Sequence, residues 1–436
     1  MRTSCLINIM KANCRGERKG IYAVESYNST VMEACFRQAL VDGSPVLLEI
    51  SANMLGLLGQ SGKISPAEFI EKVKHAAVEA KFPRDRIFLG VNDLGPSLWK
   101  DESDEYALKK ACVFISDLVG LGFNKLGIHA GEPIKGNPVD EPLAQEIIIG
   151  RETALYQAAE GAAADLPEEE KPLYVINAYP RQEAGRVENQ RRVVSRKDVE
   201  DAVDWYAQIS AAAGLPKMKK RLLAVRIFLG PGYDSENVIP FDSSLLKEMG
   251  GCEHGEYTVV LEAQQTDYQS QTVLNQLLDN HFAFLRVGLE LTYSMREALF
   301  SLTMMENETM VGKPGVYLSN YIIELDRAMQ AVPHHWQKYY TGNGFEQLVA
   351  RKYSFYDRSR FFLEDKEVRK MKKRLYDNLT AHPVPLTVLR QFMPHQFERV
   401  AAGVLENKPK ALVMDAVRRV LRRYSRACGW TEIMHD

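Results

Sequence analysis

Carboxylates, amides and one imidazole recur where short apolar runs of this chain end. They are Glu25, Glu49, Asn92 with Asp93, His129 with Glu132, Asn177, and Glu262 with Gln264. Gathered by a fold, such groups can move protons or hold a divalent ion. Asp93, Glu49, Gln264 and Asp267 are the candidate catalytic side chains, and His129 and Glu262 the candidate metal ligands. The ion would be Mg2+, Mn2+ or Zn2+. One strand-end imidazole among nine histidines falls short of a three-histidine zinc site, so a set of Asp93, Glu262 and His129 favours Mg2+ or Mn2+. Each residue also has an ordinary role open to it: Glu25 and Glu49 as salt-bridged supports, His129 as a hydrogen-bonded scaffold. Schiff-base chemistry is disfavoured, because the sixth apolar run carries Arg226 and no lysine, and Lys125 opens its own run far from the end.

A second motif suits an anion. Arg286-Val287-Gly288 leads through Glu290 and Leu291 into a helix with Met295, Ala298, Leu299 and Leu302 on its inner face. Free N–H groups at such a start attract phosphate. Gly288, Thr292, Ser294 and Arg296 are the expected phosphate contacts, with Asn53 as a further substrate contact.

The elements that must position these groups are strands. Apolar runs at 20–25, 45–50, 87–91, 124–129, 173–178, 222–228, 257–262 and 283–288 are nearly continuous in hydrophobicity, as parallel strands covered on both faces require. Helical patterns separate them, one opened by the capping box Ser65-Pro66-Ala67-Glu68. Eight such units predict a (β/α)8 TIM barrel over 1–305, whose chemistry sits at the C-terminal strand ends. An open doubly wound sheet is the alternative. Residues 306–436 read as a C-terminal helical extension. Its last helix carries Leu412, Val413, Ala416, Val417, Val420, Leu421 and Tyr424 on one face and Arg418, Arg419, Arg422, Arg423 and Arg426 on the rest. This basic face and the run from Lys366 to Arg374 read as solvated surface.

Composition narrows the classes. The 436 residues carry 55 Lys plus Arg against 57 Asp plus Glu, a net charge of −2 that offers no general grip on nucleic acid or anionic membrane. With 45% hydrophobic and 26% charged residues the chain is globular rather than disordered. No apolar run approaches the roughly 20 residues of a membrane span. Six scattered cysteines without a CxxC pair suit a reducing cytoplasm, the expected location.

Longer stretches are recognisable. Leu94-Gly95-Pro96, the run from Glu262 to Gln269, the run from His281 to Gly288, Leu291-Thr292 and Arg296-Glu297-Ala298 form one set. His335-Trp336, Lys338-Tyr339-Tyr340, Tyr353-Ser354, Asp357-Arg358 and the run from Pro394 to Arg399 form another. On these residues the chain resembles the Z-type subunit of tagatose-1,6-bisphosphate aldolase, the GatZ/KbaZ-like family, over nearly its whole length. The resemblance implies a barrel related to class II aldolases with a helical extension. It implies ketose phosphates or related sugars as ligands, a separate catalytic class II aldolase subunit as partner, and a homo-oligomeric assembly. Relatives also include ketohexose-phosphate 4-epimerases. A kinase role has no GxxxxGK[ST] loop behind it.

The departures from the family pattern cluster at the expected metal site. Asn92-Asp93 stands where Asp-His is usual, Gln264 where histidine is usual, Gly127 and His129 where His-x-Asp is usual, and Asn177-Ala178-Tyr179 where Gly-Thr-Glu is usual. The expectation is an accessory, non-catalytic aldolase subunit with an altered metal site. The alternatives are a free-standing ketohexose-phosphate 4-epimerase or aldolase working by metal-assisted retro-aldol chemistry, and a non-catalytic sugar-phosphate-binding protein.

Overall fold

The computed structural model describes residues 3–56, 63–138, 143–178, 194–230, 232–242, 246, 249 and 251–430. Eight parallel strands close into a barrel. In chain order they are β1 (Ile21–Glu25), β2 (Val46–Ser51), β3 (Ile87–Leu94), β4 (Lys125–Ile128), β5 (Leu173–Asn177) and β6 (Leu222–Ile227), then β9 (Val260–Ala263) and β10 (Phe284–Val287). Between them, β7 (Glu253–His254) and β8 (Tyr257–Thr258) form a small antiparallel hairpin. The run expected as one strand over 257–262 is therefore divided, with Tyr257 and Thr258 in the hairpin. Closure comes through β1 pairing with β10, Ile21 opposite Phe284 and Val24 opposite Val287.

The surrounding helices are α1 (Ser4–Cys14), α2 (Ser29–Asp42), α3 (Pro66–Ala80), α4 (Asp104–Gly120), α5 (Gln145–Ala162), α6 (Arg196–Ala212), α7 (Gln271–Asp279) and α8 (Leu289–Met310). Ser65 caps α3 through the capping box with Glu68, as its spacing requires. The apolar stretch near the N-terminus becomes α1. Its Leu6, Ile9 and Met10 pack beneath the barrel with Leu47, Phe88, Leu223 and Phe284, closing the end opposite the strand C-termini. Cys14 at the end of α1 is disulfide-bonded to Cys252 before β7, and Cys5, Cys35, Cys112 and Cys428 are free. The six cysteines read as scattered, without a CxxC pair, and the 238-residue separation of these two hides a contact that only the fold creates.

The eighth barrel helix runs to Met310, past the expected boundary at 305. Beyond it come α9 (Tyr321–Ala331), α10 (Gly344–Tyr353), α11 (Lys366–Ala381), α12 (Leu386–Phe392), α13 (Pro394–Ala401) and α14 (Pro409–Ala427). The apolar face of α14 is buried as its periodicity predicts, against α8, α2 and α7. The following turn reaches the barrel wall: the Trp430 indole N–H donates to the Gly20 carbonyl at 2.6 Å, and the Gly20 N–H to Cys428 at 3.1 Å. No described helix is long and apolar enough to cross a membrane.

Candidate functional site: a charged layer at the barrel mouth

Most barrel strands read as apolar with one charged residue in each. Glu49 on β2, Lys125 on β4, Arg226 on β6, Glu262 on β9 and Arg286 on β10 all turn inward and are buried. Glycines make the room. A Cβ on Gly90 would stand 2.8 Å from Glu49 Cγ, and one on Gly127 would stand 3.1 Å from Arg226 Nη2. Large charged side chains on some strands thus lie over bare backbone on others, Glu49 over the adjacent β3 and Arg226 across β5 to β4.

These charges satisfy one another. Lys125 Nζ donates to both Glu49 and Glu262. Arg226 Nε donates to Glu262 Oε1 at 2.6 Å, and its Nη2 donates to the Asn92 side-chain oxygen. Asn92 Nδ2 in turn donates to Glu49 Oε2 at 2.8 Å. Arg286 Nη2 donates to Glu25 Oε2 at 2.8 Å, while its Nε stands 3.3 Å from Glu49 without hydrogen-bond alignment. Burial alone would raise the Glu262 carboxyl, but the Arg226, Lys125 and Arg286 charges hold it well below the usual range. The network raises Arg286 and Arg226 in return against their own burial.

Glu49 and Glu262 therefore differ from the expected catalytic base and metal ligand. Both are fully enclosed and committed to cations. Lys125 is not remote either: it lies at the centre of the layer, held between two carboxylates. Among the described residues no three His, Cys, Asp or Glu side chains stand together as a metal site. Three cations share this space with the carboxylates, and that donor set does not fit a divalent ion, which needs convergent unpaired oxygen or nitrogen ligands. His129 is half-buried at the end of β4, where its N–H donates to the Leu94 carbonyl.

The rim above this layer is more open. Asp93 sits at an irregularity of β3, where the register with β4 shifts between Val91 and Leu94. Its φ of +60° lies in the left-handed region, uncommon for a residue with a side chain. Ser51 Oγ donates to Asp93 Oδ2 at 2.9 Å, and Arg226 Nη1 stands 4.0 Å from Oδ1. The Asp93 side chain keeps 40% exposure. Asn177 at the end of β5 accepts from Arg226 at 3.4 Å. Gln264 follows β9 half-buried, its N–H donating to Ile227. Asn53 is exposed on the turn after β2. Tyr179 lies outside the described residues.

The expected phosphate site is built differently. The N–H groups of Gly288 and Glu290 at the start of α8 both donate to Asp267 Oδ1, each at 2.9 Å. The chain thus supplies its own carboxylate where a phosphate was expected, and Asp267 is a cap rather than an open catalytic group. Burial pushes the Asp267 carboxyl up to about 6, against the lowering effect of those two N–H bonds. Thr292 Oγ1 donates to Leu289 and Ser294 Oγ to Leu291, both within α8. Arg296 is buried toward the extension, its Nε donating to Asp357 Oδ2 at 3.0 Å. Arg296 thus reaches the extension, and Thr292 and Ser294 spend their hydroxyls on carbonyls of their own helix.

The extension pins the same corner. Tyr424 of α14 donates to the Thr266 carbonyl at 2.6 Å, and Thr266 Oγ1 donates to the Arg286 carbonyl at 2.7 Å. Arg423 pairs with Glu290, whose carboxylate also accepts the Tyr268 N–H at 2.8 Å.

Three residues of the layer, Lys125, Arg226 and Arg286, were not among the expected site residues. Their signal is a single cation inside an apolar strand, in a barrel where β1, β2, β3 and β9 each carry one carboxylate.

Comparison with known proteins agrees over nearly the full length. A sequence model of the family described as D-tagatose-1,6-bisphosphate aldolase subunit GatZ/KbaZ-like matches residues 6–429. The D-tagatose-1,6-bisphosphate aldolase subunit GatZ of Salmonella dublin is 32% identical over 424 residues, 96% of this chain and 98% of that one. The same subunit of Salmonella gallinarum matches equally, 32% identical over 424 residues. The crystal structure of a probable tagatose 6 phosphate kinase from Sinorhizobium meliloti has a TM-score of 0.81 at 27% identity, covering 94% of this chain and all of that one.

Proposed function

Because the chain belongs to the D-tagatose-1,6-bisphosphate aldolase subunit GatZ/KbaZ-like family, we propose that it is an accessory subunit of a class II aldolase acting on ketose phosphates. The observation that carries this reading is the charged layer. Lys125, Arg226 and Arg286 take up the inward carboxylates that a metal-dependent aldolase would need free. An intact, tightly paired barrel suits a stabilising partner, since buried networks of this kind favour a single rigid arrangement. The C-terminal extension and the barrel then serve as a scaffold for the subunit that performs cleavage.

The test is reconstitution. The purified chain, a class II tagatose-bisphosphate aldolase and their mixture would be assayed for cleavage of tagatose 1,6-bisphosphate. The chain alone should give no turnover. The mixture should co-elute on gel filtration and retain activity longer at elevated temperature than the aldolase alone. Absence of both co-elution and protection would overturn the proposal.

A second reading has one observation in its favour. Asp93 holds a left-handed backbone conformation at the open rim, and strain of that kind gathers at functional sites. Its carboxylate could take the C4-hydroxyl proton of a ketohexose phosphate, with Asn177 beside it to orient the sugar. Interconversion of fructose 6-phosphate and tagatose 6-phosphate by the chain alone, abolished in a folded Asp93→Ala variant, would establish this reading in place of the first.

A further inference from the structure

Outside the barrel mouth, α14 presents Arg419, Arg422, Arg423 and Arg426 on one face, at spacings of three and four residues. Together with Gln271, the first residue of α7, they line a cavity of about 260 Å³. Neighbouring like charges on a helix repel at this spacing. Among the described residues two carboxylates are paired with the four: Glu290 with Arg423, and Asp415, which also holds Arg399 at 3.0 Å, with Arg422 at 3.2 Å. The Nε groups of Arg423 and Arg426 are buried without a hydrogen-bond partner among the described residues. This is an excess of forked donors around an open space, the arrangement that takes a phosphate group in bidentate fashion.

A second cavity, of about 380 Å³, shares Arg419 and Arg423 with the first. Its walls include Tyr268 and Tyr293, the carboxylates of Glu290 and Glu297, Ser294 and His395. Aromatic rings beside hydrogen-bond acceptors suit the C–H groups and hydroxyls of a polyhydroxylated body.

We propose that these adjacent cavities bind a monophosphorylated sugar or polyol, its phosphate among the arginines and its hydroxyls against Tyr268, Tyr293 and Glu297. The site is separate from the barrel mouth and does not depend on what the mouth does. An anion there competes with Glu290 for Arg423. Glu290 holds the Tyr268 N–H and, through its own N–H, the Asp267 cap of α8, so occupancy is felt at the loops after β9 and β10.

Titration calorimetry of the full chain at low salt tests this, with fructose 6-phosphate, unphosphorylated fructose and inorganic phosphate as probes. Fructose 6-phosphate should bind saturably, more tightly than inorganic phosphate, and fructose should give no heat. Arg419 is exposed, so Arg419→Glu should leave the thermal melt unchanged while raising Kd at least about tenfold. The Arg419→Ala, Arg426→Ala double variant should raise Kd likewise. Equal affinity for inorganic phosphate would mean an adventitious ion only and would overturn the proposal. Binding that survives Arg419→Glu but is lost in Asp93→Ala would place the sugar at the barrel mouth, sustaining a ligand-binding mouth and refuting this second site. No binding to the wild type would also refute it.

Discussion

The backbone of Gly95 runs against the carbonyl of His129, so closely that a Cβ at position 95 would stand 1.9 Å from that oxygen. The His129 N–H donates to the Leu94 carbonyl at 2.8 Å, so the ends of β3 and β4 are locked together where Asp93 and His129 emerge. Backbone cannot yield as a side chain can. Gly95→Ala should therefore cost about 3 kcal/mol in urea denaturation. Gly150→Ala, within α5 and facing open space, should gain about 0.5–1 kcal/mol. Equal stabilities for the two variants would contradict the tight crossing.

Lys125 separates two fully enclosed carboxylates. Lys125→Met would leave Glu49 and Glu262 facing each other with less positive charge between them. Breaking a buried pair on one side strands the other, at about 3–5 kcal/mol. Adding Glu262→Gln to Lys125→Met should recover part of that loss, because the second change removes one stranded charge. Chemical denaturation of the single and double variants measures the recovery; a double variant less stable than Lys125→Met would refute the coupling.

How much of this could be read beforehand follows a physical line. The barrel was legible because parallel strands covered on both faces leave continuous apolar runs, and α14 because its apolar face repeats at helical spacing. Glu49 and Glu262 were visible as acids in apolar strands. What they do was not, because their partners come from strands 76 and 137 residues away in sequence. The start of α8 shows the same limit. Gly288 and its successors have the composition of an anion site, yet the anion is Asp267, brought there by the turn after β9. Arg296 looked like a phosphate ligand by proximity to that start. Helix geometry points it instead at Asp357, in a segment whose placement no local pattern reveals.

The Cys14–Cys252 bond joins α1 to the segment before the β7–β8 hairpin and closes a loop of 238 residues. Oxidised protein should show four titratable thiols after unfolding without reductant, and six with it. A Cys14→Ser, Cys252→Ser variant should lose about 2–4 kcal/mol under oxidising conditions and match the wild type in reductant. Six thiols in the unreduced protein would count against the bond.

Asp267 and Glu262 should drive stability in opposite directions as pH falls. Burial raises the folded Asp267 carboxyl from an ordinary value of 3.8 to about 6. The folded protein then binds this proton more readily than the unfolded chain. The contribution of Asp267 is fully present below about pH 4 and is lost as pH rises through 6. Glu262 is held below its ordinary range, so its contribution is present above that range and is lost on acidification. Asp267→Asn keeps an oxygen to cap Gly288 and Glu290 but cannot titrate. The stability of wild type relative to Asp267→Asn should therefore rise by about 2–3 kcal/mol between pH 7 and pH 4. Paired urea titrations across that range isolate the effect, because Glu262 acts equally in both proteins. A pH-independent difference would mean that the Asp267 carboxyl titrates alike in the folded and unfolded chains, and that the buried cap carries no proton-linked strain.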